Sequence, residues 1–150
     1  MQINWDIKDF EKLTINELYA ILRLRSEVFV VEQNCVYPDL DNKDQKSLHL
    51  MAWEGENLAA YCRILPEGVS FPEASIGRVI TSPEYRGKGI GVTLMSNAIA
   101  HTLAHYQTNQ IRIGAQLYLK KFYEGFGFLQ TSEIYLEDGI EHIEMLLTTN

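Results

Sequence analysis

The sequence is poor in cysteine, has no long hydrophobic run, and carries fewer basic than acidic residues. Its two cysteines, Cys35 and Cys62, form neither a CxxC motif nor a disulfide framework. No apolar run approaches the ~20 residues of a membrane span, and residues 1–20 lack the basic start and apolar core of a signal peptide. We therefore expect a cytoplasmic protein with no membrane partner.

The shortage of basic residues also bears on binding partners. The chain has 13 Lys and Arg against 20 Asp and Glu, a formal net charge of -7. Nucleic-acid binding needs a basic footprint, so we expect no nucleic-acid partner. The 150 residues are 46% hydrophobic, and no repeat or linker divides them. We expect one globular domain over residues 1–150, as a monomer or homodimer.

The charges are unevenly distributed along the chain. Residues 1–75 hold 7 basic and 13 acidic side chains, whereas residues 76–150 hold 6 and 7. The segment 86–121 contains no Asp or Glu. Its basic residues are Arg86, Lys88, Arg112, Lys120 and Lys121. This pattern is typical either of chance clustering on a solvated face or of a site for an anionic ligand.

Helical and strand patterns alternate along the chain. Thr14 and Glu17 form a capping-box pattern that predicts the start of a helix. Two further helices are predicted, over 89–105 and 116–126. The predicted strands are 3–7, 49–54, 58–65, 74–82, 110–115, 128–136 and 140–147. The polar segment 34–47 is predicted to be a loop, and the alternation predicts an α/β fold with helices on the faces of a sheet.

The strongest motif is the glycine-rich segment Arg86-Gly87-Lys88-Gly89-Ile90-Gly91, between a predicted strand and a predicted helix. Glycines let the backbone approach a ligand, and a helix N-terminus attracts phosphate oxygens. The segment is not a Rossmann fingerprint, because Val92 stands where the third glycine belongs. It is not a P-loop, because Gly87-Lys88 is followed by glycine rather than Ser or Thr.

The segment Arg86-x-x-Gly89-x-Gly91, following Val79-Ile80-Thr81-Ser82-Pro83, resembles the acetyl-coenzyme A signature of the GNAT superfamily of N-acetyltransferases. The segment 122–128, Phe-Tyr-Glu-Gly-Phe-Gly-Phe, resembles a second GNAT signature, and the resemblance covers essentially the whole chain. Segments 32–37, 76–79 and 137–142 further resemble the ElaA-like branch. The resemblance implies an α/β (α+β) GNAT fold with a mixed central sheet of about six to seven strands and flanking helices.

The resemblance also implies a cosubstrate, acetyl-coenzyme A (acetyl-CoA), and no metal. The pantetheine arm is expected along Val79-Ile80-Thr81 and the pyrophosphate on the glycine-rich segment. Gln116 stands where the family often has an Asn that binds the coenzyme. The implied coenzyme contacts are Val79, Ile80, Thr81, Arg86, Gly87, Lys88, Gly89, Ile90, Gly91 and Gln116.

The implied activity is transfer of an acetyl group to a primary amine of a small molecule or peptide, directly within a ternary complex. Tyr123 matches the tyrosine that the family commonly uses as general acid on the leaving thiolate. The alternative for Tyr123 is ring packing alone. The alternative for the protein is a non-catalytic acyl-CoA binding or sensor module, which would keep the glycine loop and lose the acid.

The general base does not follow from the resemblance. Strand positions where relatives place a carboxylate hold Arg78, Ile111 and Ile113 here. The remaining candidates are Glu32, His49 and His142, and both histidines are as consistent with a structural role.

Three further residues are candidates for acceptor binding. Arg78 is expected either to bind a substrate carboxylate or to form an ion pair with Glu32. Asp39 and Asp41 are expected either to form an acidic rim that favours cationic acceptors or to lie on a solvated loop. A calcium loop is excluded because its sixth and twelfth positions are Asp44 and Leu50.

Overall fold

The N-terminal half of the chain forms a four-stranded antiparallel sheet in the order β1–β2–β3–β4. The computed structural model describes residues 1–150. The strands are β1 (Asn4–Asp9), β2 (Leu48–Glu54), β3 (Asn57–Leu65) and β4 (Ser75–Thr81). The β2–β3 turn begins at Gly55, whose φ of 57° lies in the region that glycine adopts without strain.

The C-terminal part forms a second antiparallel sheet around one long strand. Its strands are β5 (Gln110–Gln116), β6 (Leu129–Gln130), β7 (Tyr135–Glu137) and β8 (Ile140–Thr148). β5 lies on one side of β8, and both β6 and β7 pair with β8. The sequence predicted one strand over 128–136. In the structure this segment is divided into β6 and β7, because the Glu144 amide of β8 donates its hydrogen bond to the Ser132 hydroxyl rather than to a strand carbonyl.

The two sheets touch at a single point and then separate. A parallel bridge pairs Ala74 with Ile111, and the Arg112 amide donates to the Ala74 carbonyl at 3.0 Å. Beyond this bridge, β4 and β5 do not pair. Arg78 has a φ of 50° beside an irregularity in the β3–β4 register, which bends β4. The result is a gap between β4 and β5.

Helices cover the sheets on both faces. α1 (Ile15–Arg25) begins with the predicted capping box, in which Thr14 and Glu17 cap each other's backbone, and it continues as a π-helical segment over Ser26–Glu32. α2 (Ile90–His105) covers the opposite face. The predicted helix over 116–126 is shorter, because a 3₁₀ turn precedes α3 (Lys120–Glu124).

Each face of the sheet has its own hydrophobic core. The larger core joins α2 to both sheets, and the smaller one joins α1 to β2, β3 and β4. The smaller core consists of Ile21, Leu24, Val28, Met51, Tyr61 and Ile80. None of the helices is both long and apolar enough to span a lipid bilayer.

Candidate functional site

The edge of β4 that faces the gap is a site for an extended ligand. β4 pairs with β3 on one side only, so the backbone groups of its other edge need external partners. Ile80 packs into the smaller core and Val79 against the larger one, so these two residues offer mainly their backbone to a ligand. An extended molecule can pair with such an edge as an added strand would.

The glycine-rich loop lies between β4 and α2 with its surface open. Gly87 and Gly89 have φ values of 79° and 78°, and a Cβ atom at either would meet no heavy atom within 4 Å. Gly89 caps α2, so the first N–H groups of this helix lack intrahelical partners and carry partial positive charge. The Ile90 side chain is buried in the core, which leaves only its backbone for a ligand.

The basic segment 86–121 does not form one cluster. Lys88 is exposed beside the glycine loop, with Nζ 5.6 Å from the centre of the Tyr85 ring. Arg112 lies on β5 and forms a two-point ion pair with Glu73, both contacts being 2.9 Å. The interpretation of all five basic residues as one anion site is therefore wrong for Arg112.

Two consecutive residues after α1 contact both sides of the gap. Glu32 accepts two hydrogen bonds from the Arg86 guanidinium, at 2.7 and 2.8 Å. Gln33 exchanges hydrogen bonds of 3.3 and 3.4 Å with the Gln116 carboxamide. Arg86 holds the pKa of Glu32 below its ordinary value. Two expected coenzyme contacts, Arg86 and Gln116, thus already have partners within the chain, and the sequence pattern had not indicated Gln33.

Tyr123 is packed among aromatic rings on α3. Its ring meets Phe122 and Phe128 edge to face, with centroid distances of 5.1 and 6.1 Å, and the side chain is 6% exposed. Burial raises the pKa of Tyr123 well above its ordinary value, so the phenol is protonated at neutral pH. Ring packing and a proton-donor role are therefore compatible in this residue.

His49 is fully enclosed and has both ring nitrogens engaged. The Asp44 carbonyl accepts a hydrogen bond from Nε2 at 2.9 Å, which leaves Nδ1 to accept from the Tyr61 hydroxyl at 2.6 Å. Burial lowers the pKa of His49. Because no ring nitrogen is free to take a substrate proton, we correct the expectation of a catalytic His49 to a structural role.

His142 is buried on β8, one strand removed from the gap. It is the cross-strand neighbour of Gln116 in the β5–β8 pair, and its ring stacks on Tyr135. Nδ1 donates to the Ile140 carbonyl at 2.8 Å, and Nε2 lies 3.3 Å from a Glu137 carboxylate oxygen. Of the two histidine candidates, only His142 is positioned near an expected coenzyme contact.

The acidic loop is neutralised by three arginines rather than exposed as a rim. Arg25 contacts Asp39 and Asp44, Arg63 contacts Asp41 and Asp44, and Arg78 contacts Asp39 and Asp41. Three negative and three positive charges cancel. The expectation that Asp39 and Asp41 form an acidic rim is therefore wrong.

Arg78 has a different partner from the one expected. Its guanidinium donates to the Asp39 carbonyl at 3.0 Å and lies over the Tyr37 ring, whereas Glu32 pairs with Arg86. The proposed Arg78–Glu32 pair does not form. The sequence did contain a signal for the buried network, because Arg25 falls on the core-facing stripe of α1 and a buried charge requires a partner.

Comparisons with known proteins agree with this geometry. A family model described as an acetyltransferase (GNAT) domain matches residues 13–149. Protein ElaA of Escherichia coli is 41% identical over 145 residues, 95% of each chain. Its crystal structure superimposes with a TM-score of 0.91, covering 97% of this chain and 99% of ElaA.

Two other solved structures extend the comparison. An acyl-CoA N-acyltransferase from Pseudomonas aeruginosa is 40% identical with a TM-score of 0.93, covering 98% of this chain and 100% of that one. The CoA-dependent acyl-homoserine lactone synthase BjaI, solved with SAM and isopentyl-CoA, is 17% identical with a TM-score of 0.75. The superposition covers 98% of this chain and 83% of the BjaI chain. Because the sequence identity is only 17%, this similarity supports the fold alone.

The unpaired edge of β4 and the glycine loop at the start of α2 belong to a GNAT fold, and the prediction of this fold is confirmed. The chain belongs to the GNAT acetyltransferase family. Within that family it is a homologue of ElaA. Acyl-CoA, which the family uses, fits the residues present, because the loop is open over Gly87 and Gly89 and the β4 edge is unpaired.

Proposed function

We propose that the protein is an N-acetyltransferase that moves an acetyl group from acetyl-CoA to a primary amine of a small molecule or peptide. In this proposal residues 1–150 act as one cytoplasmic domain, as a monomer or homodimer. The observation that carries it is the unpaired edge of β4 leading to the open glycine loop. The name of the Pseudomonas relative, an acyl-CoA N-acyltransferase, supports the same reaction class.

The residues of the chain have separate tasks in this proposal. The backbone of Val79 to Thr81 holds the pantetheine arm, and the N–H groups at the start of α2 hold the pyrophosphate. When bound, acetyl-CoA supplies the thioester whose C–S bond is exchanged for a C–N bond. Tyr123, whose phenol is protonated at neutral pH, donates its proton to the leaving sulfur.

His142 is the general base that the geometry favours. Its Nδ1 donates to the Ile140 carbonyl and its Nε2 faces the Glu137 carboxylate, which has no proton to donate, so Nε2 can take the proton that the amine loses. Glu32, by contrast, is held by Arg86, and both ring nitrogens of His49 are engaged. His142→Gln should lose most turnover and keep acetyl-CoA binding. Wild-type turnover in this variant would exclude His142 as the base.

Direct transfer in a ternary complex is supported by the state of the two cysteines. Cys35 and Cys62 are both buried, and burial raises the pKa of the Cys62 thiol. A protonated, enclosed thiol is a poor nucleophile, so an acyl-enzyme on Cys62 is disfavoured. Initial rates at varied acetyl-CoA and amine should therefore give intersecting rather than parallel double-reciprocal lines.

The competing candidate, an acyl-CoA sensor, would bind the coenzyme without turnover. The test is release of free thiol from acetyl-CoA with a panel of primary amines, together with calorimetric binding of CoA. Thiol release that depends on the amine supports the transferase. Binding without release from any amine would contradict the transferase and favour the sensor.

A further inference from the structure

The C-terminal wall of the gap contains an exposed glycine with no assigned role. Gly114 lies on β5, three residues beyond the bridge at Ile111 and two residues before Gln116. Because side chains alternate along a strand, position 114 belongs to the same face as Arg112 and Gln116. Its bare backbone therefore lines the part of the gap that has already opened.

Two aromatic side chains meet over this glycine. A Cβ atom at position 114 would lie 3.3 Å from the Tyr135 hydroxyl and 3.9 Å from Phe71 Cζ. Tyr135 comes from β7, and Phe71 comes from the loop between β3 and β4. The absence of a side chain at 114 is what allows the phenol to approach β5 so closely.

The same place holds a weakly compensated carboxylate. Glu144 is the cross-strand partner of Gly114 and is 37% exposed at its side chain. Its nearest basic group, Arg112, stands 3.7 Å away and is already bound at two points by Glu73. The negative charge of Glu144 thus remains largely uncompensated.

The rest of the gap offers no comparable negative charge on its α1 side. The aspartates of the loop after α1 are each matched by an arginine, as described above. Glu32 is likewise paired with Arg86. A cationic group entering the gap on this side would therefore meet the Glu144 carboxylate, which belongs to the strand next to Gly114 and the two aromatic side chains over it.

We propose that Phe71, Tyr135 and Glu144 form the subsite that binds a positively charged group of the acceptor. The preferred acceptors then carry a second cationic group besides the amine that reacts. Aromatic rings and a carboxylate together attract an ammonium group, and the Tyr135 hydroxyl accepts a hydrogen bond from it. This inference rests on the acetyltransferase function proposed above and names the acceptor class for that site.

The test compares two probes of the same length, pentylamine and its diamine counterpart cadaverine. Their affinities are measured by calorimetry on the protein saturated with CoA, so that no turnover interferes. Cadaverine should bind the wild type more tightly than pentylamine. Glu144→Gln should weaken cadaverine binding about 2- to 30-fold, as expected for loss of one such contact, and leave pentylamine unchanged.

Two more variants make the test specific to this subsite. Glu141→Gln removes the same charge from the same strand, at an exposed position offset by an odd number of residues and so on the opposite face. It should leave cadaverine affinity unchanged. Tyr135→Leu should weaken cadaverine binding, and circular dichroism checks that this variant folds.

The inference would be overturned by equal affinities of the two amines, by no saturable cadaverine binding, or by equal losses in the Glu144 and Glu141 variants. The proposed function fails by a different result, namely CoA binding without thiol release from acetyl-CoA with any amine. Thiol release that is indifferent to the second charge leaves the transferase standing and removes the subsite.

Discussion

At the scale of single residues, ring packing and the proposed proton transfer fall on one side chain, Tyr123. The Tyr123 ring packs against Phe122 and Phe128, and burial raises the pKa of its phenol. The two histidine candidates for the general base differ in the hydrogen bonds of their ring nitrogens. His49 has lost both nitrogens to Asp44 and Tyr61, which no sequence spacing predicts, because these contacts form between different elements.

Tyr123→Phe tests the proton-donor role without disturbing the ring packing. The change removes only the phenolic proton, so kcat should fall about 10²–10⁴-fold, with little change in the KM for acetyl-CoA. Steady-state kinetics measure both. Tyr106→Phe, at the end of α2, is the matched control and should behave as wild type. Unchanged turnover in the Tyr123 variant would remove this residue from the mechanism.

Glu32→Gln tests whether the Glu32–Arg86 pair competes with the coenzyme. Releasing Arg86 should strengthen CoA binding by up to about fivefold, because an exposed ion pair contributes at most about 1 kcal/mol. Isothermal titration of CoA measures the change. Glu27→Gln breaks the exposed pair with Arg23 on the same helical stretch and serves as control. An unchanged affinity in the Glu32 variant would mean that Arg86 does not bind the coenzyme phosphates.

At the scale of elements, the sequence predicted most of the fold. The capping box, the strands β2 and β3, and α2 all follow from local patterns, and the structure confirms them. The glycine-rich segment was also placed correctly between a strand and a helix. Local patterns did not predict the interruption between β6 and β7, because the Ser132 contact that causes it depends on β8.

Gly89→Val tests the glycine loop as the pyrophosphate site. A valine at φ 78° is strained by roughly 1–2 kcal/mol, and its side chain would fill the open space beside the helix N-terminus. CoA affinity should fall at least about tenfold, as expected when one hydrogen bond to a charged group is lost. Binding is measured by calorimetry on the folded variant.

Two matched changes separate strain from blocked binding. Gly55→Val introduces a similar strain in the β2–β3 turn and should lower stability without changing CoA affinity. Gly91→Ala places a Cβ 3.4 Å from Thr81 Oγ1, an ordinary contact, so the fold should tolerate it. Wild-type CoA affinity in Gly89→Val would show that the loop is not the pyrophosphate site.

At the scale of the whole molecule, the tertiary structure pairs the aspartates of the loop after α1 with arginines from other elements. The sequence places Asp39, Asp41 and Asp44 close together, and their loop looks solvated because its partners are remote. Arg25 and Arg63 come from α1 and β3, 14 to 22 residues away along the chain. The network ties the loop to both elements and thereby shapes the α1 side of the gap. Helical spacing places Arg25 on the core-facing stripe of α1, but residue spacing did not predict which aspartates pair with the three arginines.

Asp44→Asn tests how far this network stabilises the fold. Burial acts to raise the pKa of Asp44, but the hydrogen bonds and charges of Arg25 and Arg63 outweigh it and leave the pKa lowered. A lowered native pKa stabilises the fold above the unfolded value of about 3.9, and this contribution is lost as the pH falls through the native value. The wild type should therefore lose stability progressively below about pH 4.

The Asp44→Asn variant should lose about 3–5 kcal/mol at pH 7, because two buried arginines lose part of their countercharge. It should also lack the part of the acid-dependent loss that Asp44 causes in the wild type. Urea unfolding at pH 7 and at pH 3 to 4 measures both effects. Asp138→Asn, on the exposed β7–β8 turn, is the control and should leave both quantities unchanged. Equal stability of the Asp44 variant and the wild type at pH 7 would show that the network does not stabilise the fold.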